Sequence, residues 1–163
     1  MNYQKIDKCN MDNGTGLRVV VWLSGCNHYC NGCFNPETWD SNHGALFADK
    51  QLTLIYDTLN EEWCEGITLT GGDPMYEYNA KDVLALCQNI KSNYPNKSIW
   101  LYTGSIWEEV KNSELMQYID VLVDGEYQIE NNSPDKHWVG SSNQRVIDVQ
   151  KTLQSDDVVL WKS

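Results

Sequence analysis

The sequence lacks the features that mark proteins which cross or leave a membrane. In 163 residues, no apolar run approaches the roughly 20 residues that a transmembrane helix requires. Residues 1–13 contain no apolar core of the kind found in a secretory signal peptide. These absences predict a cytoplasmic protein with no membrane partner.

Basic side chains are also scarce. The chain has 12 Lys and Arg against 23 Asp and Glu, a formal net charge of −11 at pH 7. Because the phosphates of nucleic acids attract proteins of the opposite charge, this balance argues against nucleic acid as a partner. Hydrophobic residues nevertheless make up 41% of the chain, with seven Trp and nine Tyr, so a folded core is expected. The length predicts one domain over residues 1–163.

Hydrophobic patterning predicts strands that alternate with helices. Predicted strands cover residues 17–23, 66–70, 98–102, 119–123 and 145–149, and helical character covers 51–63, 79–94 and 106–118. Asn79 is expected to cap the second helix, and Cys87 to lie on its buried face. Alternation of this kind implies right-handed crossovers and a mostly parallel sheet. Since a complete eight-unit barrel needs about 250 residues, the predicted fold is α/β, a partial and open parallel (β/α) barrel.

The unusual residues of the chain follow the predicted strands. Three clustered cysteines follow the first strand, and the turn Gly71-Gly72-Asp73-Pro74 follows the second. Thr103 and Asp124 end the third and fourth. Because ligands of parallel α/β folds gather at the carboxyl ends of strands, these residues predict a site at that edge.

The clustered cysteines have the spacing C-x3-C-x2-C at Cys26, Cys30 and Cys33. One loop with three thiolates can wrap one metal centre, as in iron–sulfur clusters, and leaves one iron of a cubane cluster open to a substrate. A zinc site completed by His28 or a distant cysteine is the alternative. Zinc fingers normally carry a second ligand pair, which this sequence lacks.

The cysteine loop and the Gly-Gly-acid-Pro turn together resemble the radical S-adenosylmethionine (SAM) superfamily. Matching segments are NGTGLR at 13–18, CFNPETW at 33–39, VDG at 123–125 and GSSNQR at 140–145. With them, the chain resembles the activating proteins of anaerobic (class III) ribonucleoside-triphosphate reductase from residue 13 to about residue 148. The fold implied is a partial barrel of the radical SAM type.

The resemblance implies a cofactor pair and a protein substrate. Cys26, Cys30 and Cys33 would hold a [4Fe–4S] cluster, and the amine and carboxylate of SAM would chelate its fourth iron. Reductive cleavage would yield methionine and a 5′-deoxyadenosyl radical, which takes an α-hydrogen from a glycine of the reductase large subunit. An electron donor such as a flavodoxin-like protein is implied as well.

The resemblance also implies a set of SAM-binding residues: Gly32, Cys33, Phe34, Gly71, Gly72, Asp73, Thr103 and Asp124. Asp73 would accept hydrogen bonds from the methionyl ammonium, with turn formation as its alternative role. Two glycines let the backbone approach a ligand closely. Gly32 stands where many superfamily members have an aromatic residue, so Phe34 or the local backbone would serve instead. Thr103 and Asp124 would face the ribose, the methionyl carboxylate or a cation.

Other polar residues are assigned structural roles. His28, His43 and His137 show no metal-ligand spacing among themselves and are expected on the surface or in loops. Arg18 and Arg145 are expected to pair with acids, and Trp39 to lie near the cysteine loop.

Three alternative functions remain at this point. The first is activation of another glycyl-radical enzyme, of the formate-lyase type. The others are a SAM-independent iron–sulfur electron-transfer module and a zinc-stabilised binding module. An electron carrier has no need of the Gly71-Gly72-Asp73 turn, and an open barrel would admit a large protein substrate, so the sequence favours the activating protein.

Overall fold

The computed structural model describes residues 1–162 and places seven strands in one open sheet. The strands are β1 (Asn2–Asn10), β2 (Arg18–Leu23), β3 (Ala45–Leu46), β4 (Gly66–Gly71), β5 (Ser98–Tyr102), β6 (Val121–Asp124) and β7 (Arg145–Asp148). Their order across the sheet is β3-β1-β2-β4-β5-β6-β7. The α/β class is therefore confirmed, whereas the assignment to a partial barrel of the radical SAM type stays a prediction.

Strands β2, β4, β5 and β6 form the parallel centre of the sheet. Parallel strands are covered on both faces, which is why β2 reads as the continuous apolar run that the sequence shows, with Val19, Val20 and Val21 fully buried. The carboxyl ends of these four strands meet at one edge, as predicted.

Both outer parts of the sheet are antiparallel and depart from the predicted arrangement. Strand β7 lies where a strand was predicted, but it runs antiparallel to β6. At the other side of the sheet, β1 pairs antiparallel with β2 and β3. Strand β1 was not predicted, because its sequence NYQKIDKCN is polar and none of its residues is fully buried. Backbone pairing with β2 defines it, and only Tyr3 and Ile6 of the strand pack against the main core.

Within residues 1–162, four α-helices accompany the sheet: α1 (Asp49–Leu59), α2 (Glu77–Asn93), α3 (Trp107–Val110) and α4 (Val149–Thr152). Three single-turn 3-10 helices lie at Pro36–Trp39, Glu114–Gln117 and Ile129–Asn131. The main core lies between the sheet and the helices, and Cys87 of α2 is fully buried in it, as predicted. No helix among residues 1–162 is long and apolar enough to cross a bilayer.

Asn79 does not cap α2, because the helix begins at Glu77. Its buried side-chain amide instead donates to the carbonyl oxygens of Ser24 at 2.9 Å and Asp73 at 3.0 Å. These carbonyls belong to the chain just before the cysteine loop and to the Gly-Gly-Asp turn, so Asn79 ties both to the helix.

The second face of the sheet carries a smaller aromatic cluster. Side chains alternate along β5, so that Ile99 and Leu101 join the main core while Trp100 packs on the opposite face. Trp138 and Trp161 pack edge-on against Trp100, with ring centroids 5.1 and 5.8 Å away. Trp138 also lines a cavity at the carboxyl ends of the parallel strands.

Candidate functional site

A cavity of about 660 Å³ opens where the parallel strands end. Among the residues predicted for the site, those that line the cavity are Cys26, Cys30, Cys33, Phe34, Gly71, Gly72, Asp73 and Thr103. The structure therefore brings together three motifs that are far apart in the sequence. Gly32 and Asp124 are not among the lining residues.

The cysteine loop is shaped by backbone hydrogen bonds. The amide of Cys26 donates to the carbonyl of Trp39 at 3.2 Å, which closes the loop against the 3-10 helix at Pro36–Trp39. The amide of Cys33 donates to the carbonyl of Cys30 at 3.1 Å and forms the tight turn between the last two cysteines. Trp39 lies against Tyr29 with ring centroids 5.2 Å apart, so the predicted position of Trp39 beside the loop is confirmed.

The three loop cysteines are free thiols, half-buried at the cavity wall. Burial raises the pKa of Cys26 to about 11 and also raises the pKa of Cys30. Thiolates bind metals, and a cation beside these sulfurs would favour their ionised form. The thiol donor set thus fits an iron–sulfur cluster.

The loop geometry also bears on the zinc alternative. Within residues 1–162, no three His, Cys, Asp or Glu side chains are grouped to hold a single metal ion. The cysteines of a cubane cluster bind separate irons and need not converge on one point. Both ring nitrogens of His28 lie against carboxylates, which leaves neither to complete a zinc tetrahedron with the cysteines.

The Gly71-Gly72 pair is required by the close approach of two chain segments. Gly71 has φ +101°, and a Cβ there would lie 2.5 Å from the backbone nitrogen of Leu23. A Cβ on Gly72 would lie 2.5 Å from the carbonyl oxygen of Gly25. The close contact between the end of β4 and the chain that leads into the cysteine loop therefore requires glycine at both positions. Both glycines also line the cavity.

Asp73 is a buried carboxylate at the centre of the site, with 2% of its surface exposed. Its Oδ2 accepts from the Thr103 hydroxyl at 2.9 Å and the Gly104 amide at 3.2 Å, and lies 2.7 Å from Nε2 of His28. Its Oδ1 accepts from the Met75 amide at 2.7 Å. Asp73 therefore shapes its own turn, which was the alternative role considered for it, and also joins three segments around the cavity.

The sequence offered His28 only as a zinc ligand or a loop residue, and its contact with Asp73 was not predicted. His28 lies in a loop as expected, but Nδ1 is 2.8 Å from Oε1 of Glu126 while Nε2 faces Asp73. The hydrogen bond with Asp73 raises the pKa of His28 to about 9. Its ring also fills the space beside Gly104, where a Cβ would lie 2.5 Å from the ring. Its position between Cys26 and Cys30 was the signal that could have identified it.

Asp124 turns away from the cavity. This carboxylate is 1% exposed and accepts from the Trp107 amide at 2.7 Å and from Nε of Arg145 at 3.1 Å. Arg145 also reaches Glu108, and its hydrogen bonds to Asp124 and Glu108 raise its pKa. The predicted pairing of Arg145 with an acid is confirmed, and its partner is the residue that had been expected to face a ligand.

Arg18 does not pair with an acid, contrary to prediction. It is fully buried and donates to the Thr68 hydroxyl at 2.8 Å, the Thr15 carbonyl at 2.7 Å and the Ser98 hydroxyl at 3.0 Å. Its guanidinium carbon lies 5.4 Å from the centroid of the Trp100 ring. Burial lowers the pKa of Arg18 to about 10. Neutral acceptors and an aromatic ring replace the expected carboxylate, so its role is structural.

Phe34 and Gly32 lie at the rim of the cysteine loop. Phe34 is 68% exposed, and its ring centroid is 4.8 Å from that of Tyr127. Gly32 has φ +74°, and a Cβ there would lie 2.6 Å from the side chain of Ile129. Of the two, only Phe34 lines the cavity, while Gly32 allows the turn.

Comparison with known proteins agrees with this arrangement. A family profile described as a 4Fe-4S single cluster domain matches residues 12–147. The chain is 42% identical over 147 residues to the anaerobic ribonucleoside-triphosphate reductase-activating protein of Enterobacteria phage T4, with 90% of this chain and 93% of that protein covered. The proteins of the same name from Vibrio cholerae and Escherichia coli K12 are each 40% identical, over 150 residues (88% of this chain, 96% of that protein) and 151 residues (90% and 97%). The chain therefore belongs to the 4Fe-4S single cluster domain family and, within it, to the anaerobic ribonucleoside-triphosphate reductase-activating proteins.

Proposed function

We propose that this protein activates anaerobic ribonucleoside-triphosphate reductase by cleaving SAM reductively and generating a glycyl radical on the reductase large subunit. The observation that carries the proposal is the convergence of three free cysteines, the Gly-Gly-Asp turn and Thr103 on one cavity. The names of the similar proteins support the reductase as the partner. An electron donor, such as a flavodoxin-like protein, completes the proposal.

The cysteine loop is the part of the chain that would hold the cluster, through Cys26, Cys30 and Cys33. When both are bound, a reduced [4Fe–4S] cluster would supply one electron to the sulfonium of SAM, whose sulfur–C5′ bond would break to give methionine and a 5′-deoxyadenosyl radical that takes the glycine α-hydrogen. The electron donor would then reduce the oxidised cluster again. Three thiolates leave one iron for SAM, whereas an electron carrier normally has four protein ligands. All three cysteines are half-buried and line the cavity, so a cluster held there would be next to the space proposed for SAM.

Asp73 and Thr103 would orient the methionyl end of SAM. Oδ1 of Asp73 accepts one backbone amide, from Met75, and a carboxylate oxygen can accept a second donor such as an ammonium group. The Thr103 hydroxyl donates to Asp73 and accepts from the Ser105 amide at 3.2 Å, which fixes its direction. Both side chains are therefore held in place before a ligand binds, which reduces the cost of ordering them.

The rest of the cavity suits a reactive carbon centre. Its volume lies within the range of about 300–1,000 Å³ that is usual for small-molecule sites, and Trp22, Phe34, Tyr102 and Trp138 contribute aromatic walls. Aromatic walls exclude water and so limit side reactions of a radical. The open side would be closed by the reductase, which also supplies the glycine.

Two alternatives carry less support. An electron carrier has no need of the buried network of Asp73 and Thr103 beside its cluster. A formate-lyase type of partner would use the same site chemistry, but the names of the similar proteins favour the reductase.

The experiment combines anaerobically reconstituted protein, a reductant, SAM and the reductase large subunit. Electron paramagnetic resonance should show a glycine-centred doublet, with release of methionine and 5′-deoxyadenosine. The doublet should require the reductase and should be absent with Cys30→Ala. Failure of the wild-type protein to cleave SAM with any reductant, or a doublet of full intensity with Cys30→Ala, would overturn the proposal.

A further inference from the structure

The loops that follow the four parallel strands meet at His28. This residue lies in the cysteine loop after β2, and Asp73, its first partner, lies in the turn after β4. Asp73 in turn accepts from Thr103 and Gly104, which follow β5. The second partner of His28, Glu126, follows β6. A chain of side-chain contacts thus crosses all four strand ends.

Two features fix the His28 ring in one orientation. Both ring nitrogens are engaged at short distances, 2.7 Å to Asp73 and 2.8 Å to Glu126. The ring of His28 packs against Gly104, which has no side chain. A Cβ on Gly104 would lie 2.5 to 2.7 Å from three atoms of the ring. The side chain of His28 is 16% exposed and that of Asp73 is 3% exposed, so water has little access to their contact.

We propose that His28 is a positioning residue that sets the distance between the cysteine loop and the Asp73 turn, so that one SAM molecule reaches both. This inference rests on the proposed function. The amide of Asp73 donates to the carbonyl of Gly25, and Asn79 bridges Ser24 and Asp73, so the start of the cysteine loop is already joined to the turn. His28 adds two side-chain hydrogen bonds farther along the loop, between Cys26 and Cys30. Without His28 the cysteines would still hold the cluster, but the middle of the loop would lose its contacts with Asp73 and Glu126. The distance between the cluster and Asp73 would then vary more.

The contact with Asp73 carries this role more than the contact with Glu126. Asp73 is buried and linked to the cavity through Thr103 and Gly104, whereas 54% of the Glu126 side chain is exposed. Glutamine at position 28 places an amide donor near the position of Nε2, and asparagine places one near Nδ1. His28→Gln should therefore preserve the function and His28→Asn should not.

The test compares His28→Ala, His28→Gln and His28→Asn after anaerobic reconstitution, with His43→Ala as the control because His43 is exposed. Iron and sulfide content should remain complete in all four. The dissociation constant for SAM should rise about 10- to 100-fold in the Ala and Asn variants and stay within about threefold of wild type in the Gln and His43 variants. Unchanged SAM affinity in His28→Ala, equal rescue by Asn and Gln, or cluster loss in His28→Ala as complete as in Cys30→Ala would overturn the inference.

A second measurement separates this inference from the proposed function. Hydrogen exchange at the Gly104 amide, which donates to Asp73, needs no SAM. Exchange should be faster than wild type in His28→Ala and unchanged in His28→Gln. If the wild-type protein does not bind SAM, the proposed function fails, and this measurement still decides whether His28 holds the Asp73 network. Wild-type exchange rates in His28→Ala would show that it does not.

Discussion

Arg145 and Asp124 form an ion pair whose two members differ in burial, so their removal should have unequal effects on stability. The Asp124 side chain is 1% exposed and the Arg145 side chain is 33% exposed. In Arg145→Met, the Asp124 carboxylate stays buried with the Trp107 amide as its remaining hydrogen-bond donor. In Asp124→Asn, the guanidinium keeps its hydrogen bonds to Glu108 and its access to water.

The size of each effect follows from this asymmetry. Removal of one partner from a fully buried pair costs about 3–5 kcal/mol, and water near the exposed part of Arg145 reduces this to about 2–4 kcal/mol for Arg145→Met. Asp124→Asn loses a charge-assisted hydrogen bond and should cost about 1–2 kcal/mol. The double variant should cost less than the sum of the two, because each single change removes the same interaction.

Urea denaturation at neutral pH and equal cluster content measures these free energies of unfolding. Asp124→Asn should also bind SAM within about threefold of wild type, since Asp124 does not line the cavity. The reasoning would be refuted if Asp124→Asn destabilised the protein more than Arg145→Met. A tenfold or greater loss of SAM affinity in Asp124→Asn, with the cluster intact, would return Asp124 to the ligand site.

Three further predictions concern the site and its turn. Cys30→Ala should lose most of its iron and sulfide, whereas Cys87→Ala, in the core, should keep them; equal loss in both would contradict the three-cysteine site. Asp73→Asn should keep the cluster and weaken SAM binding about tenfold or more in a titration, and unchanged affinity would leave Asp73 with its turn-forming role alone. Gly71→Ala should lower the free energy of unfolding in urea by about 2–4 kcal/mol, clearly more than Gly125→Ala. Both glycines have positive φ, but only at Gly71 would a Cβ clash with the backbone of another segment. Equal losses of stability would exclude that clash.

The central strands could be predicted because burial on both faces leaves a continuous apolar run. Residues 17–23 and 66–70 were predicted within one residue of β2 (Arg18–Leu23) and β4 (Gly66–Gly71). Strand β1 has no such signal, since its pairing with β2 depends on backbone groups that every residue carries. The direction of β7 could not be predicted either, because an apolar run does not determine whether a strand is parallel or antiparallel to its neighbour.

The site could be predicted where its residues are close in sequence, and not where contacts join distant segments. Spacing alone identifies Cys26, Cys30 and Cys33, and the Gly-Gly-Asp turn is a local motif. His28 meets Glu126 across 98 positions, and no local pattern encodes that contact. Arg18 shows the same limit, because its acceptors lie up to 80 positions away and none of them is an acid.

Asp73 and Asp124 show how topology separates two residues that look equivalent in the sequence. Both follow a parallel strand and both are buried, so the general rule for parallel sheets places both at a ligand. The partners of Oδ2 of Asp73 are a hydroxyl, an amide and an imidazole from loops around the cavity. Asp124 instead lies directly opposite Arg145 in the antiparallel pairing of β6 with β7. A parallel β7 would not have offered that register, so the unpredicted direction of one edge strand pairs Asp124 with Arg145, and only Asp73 lines the cavity.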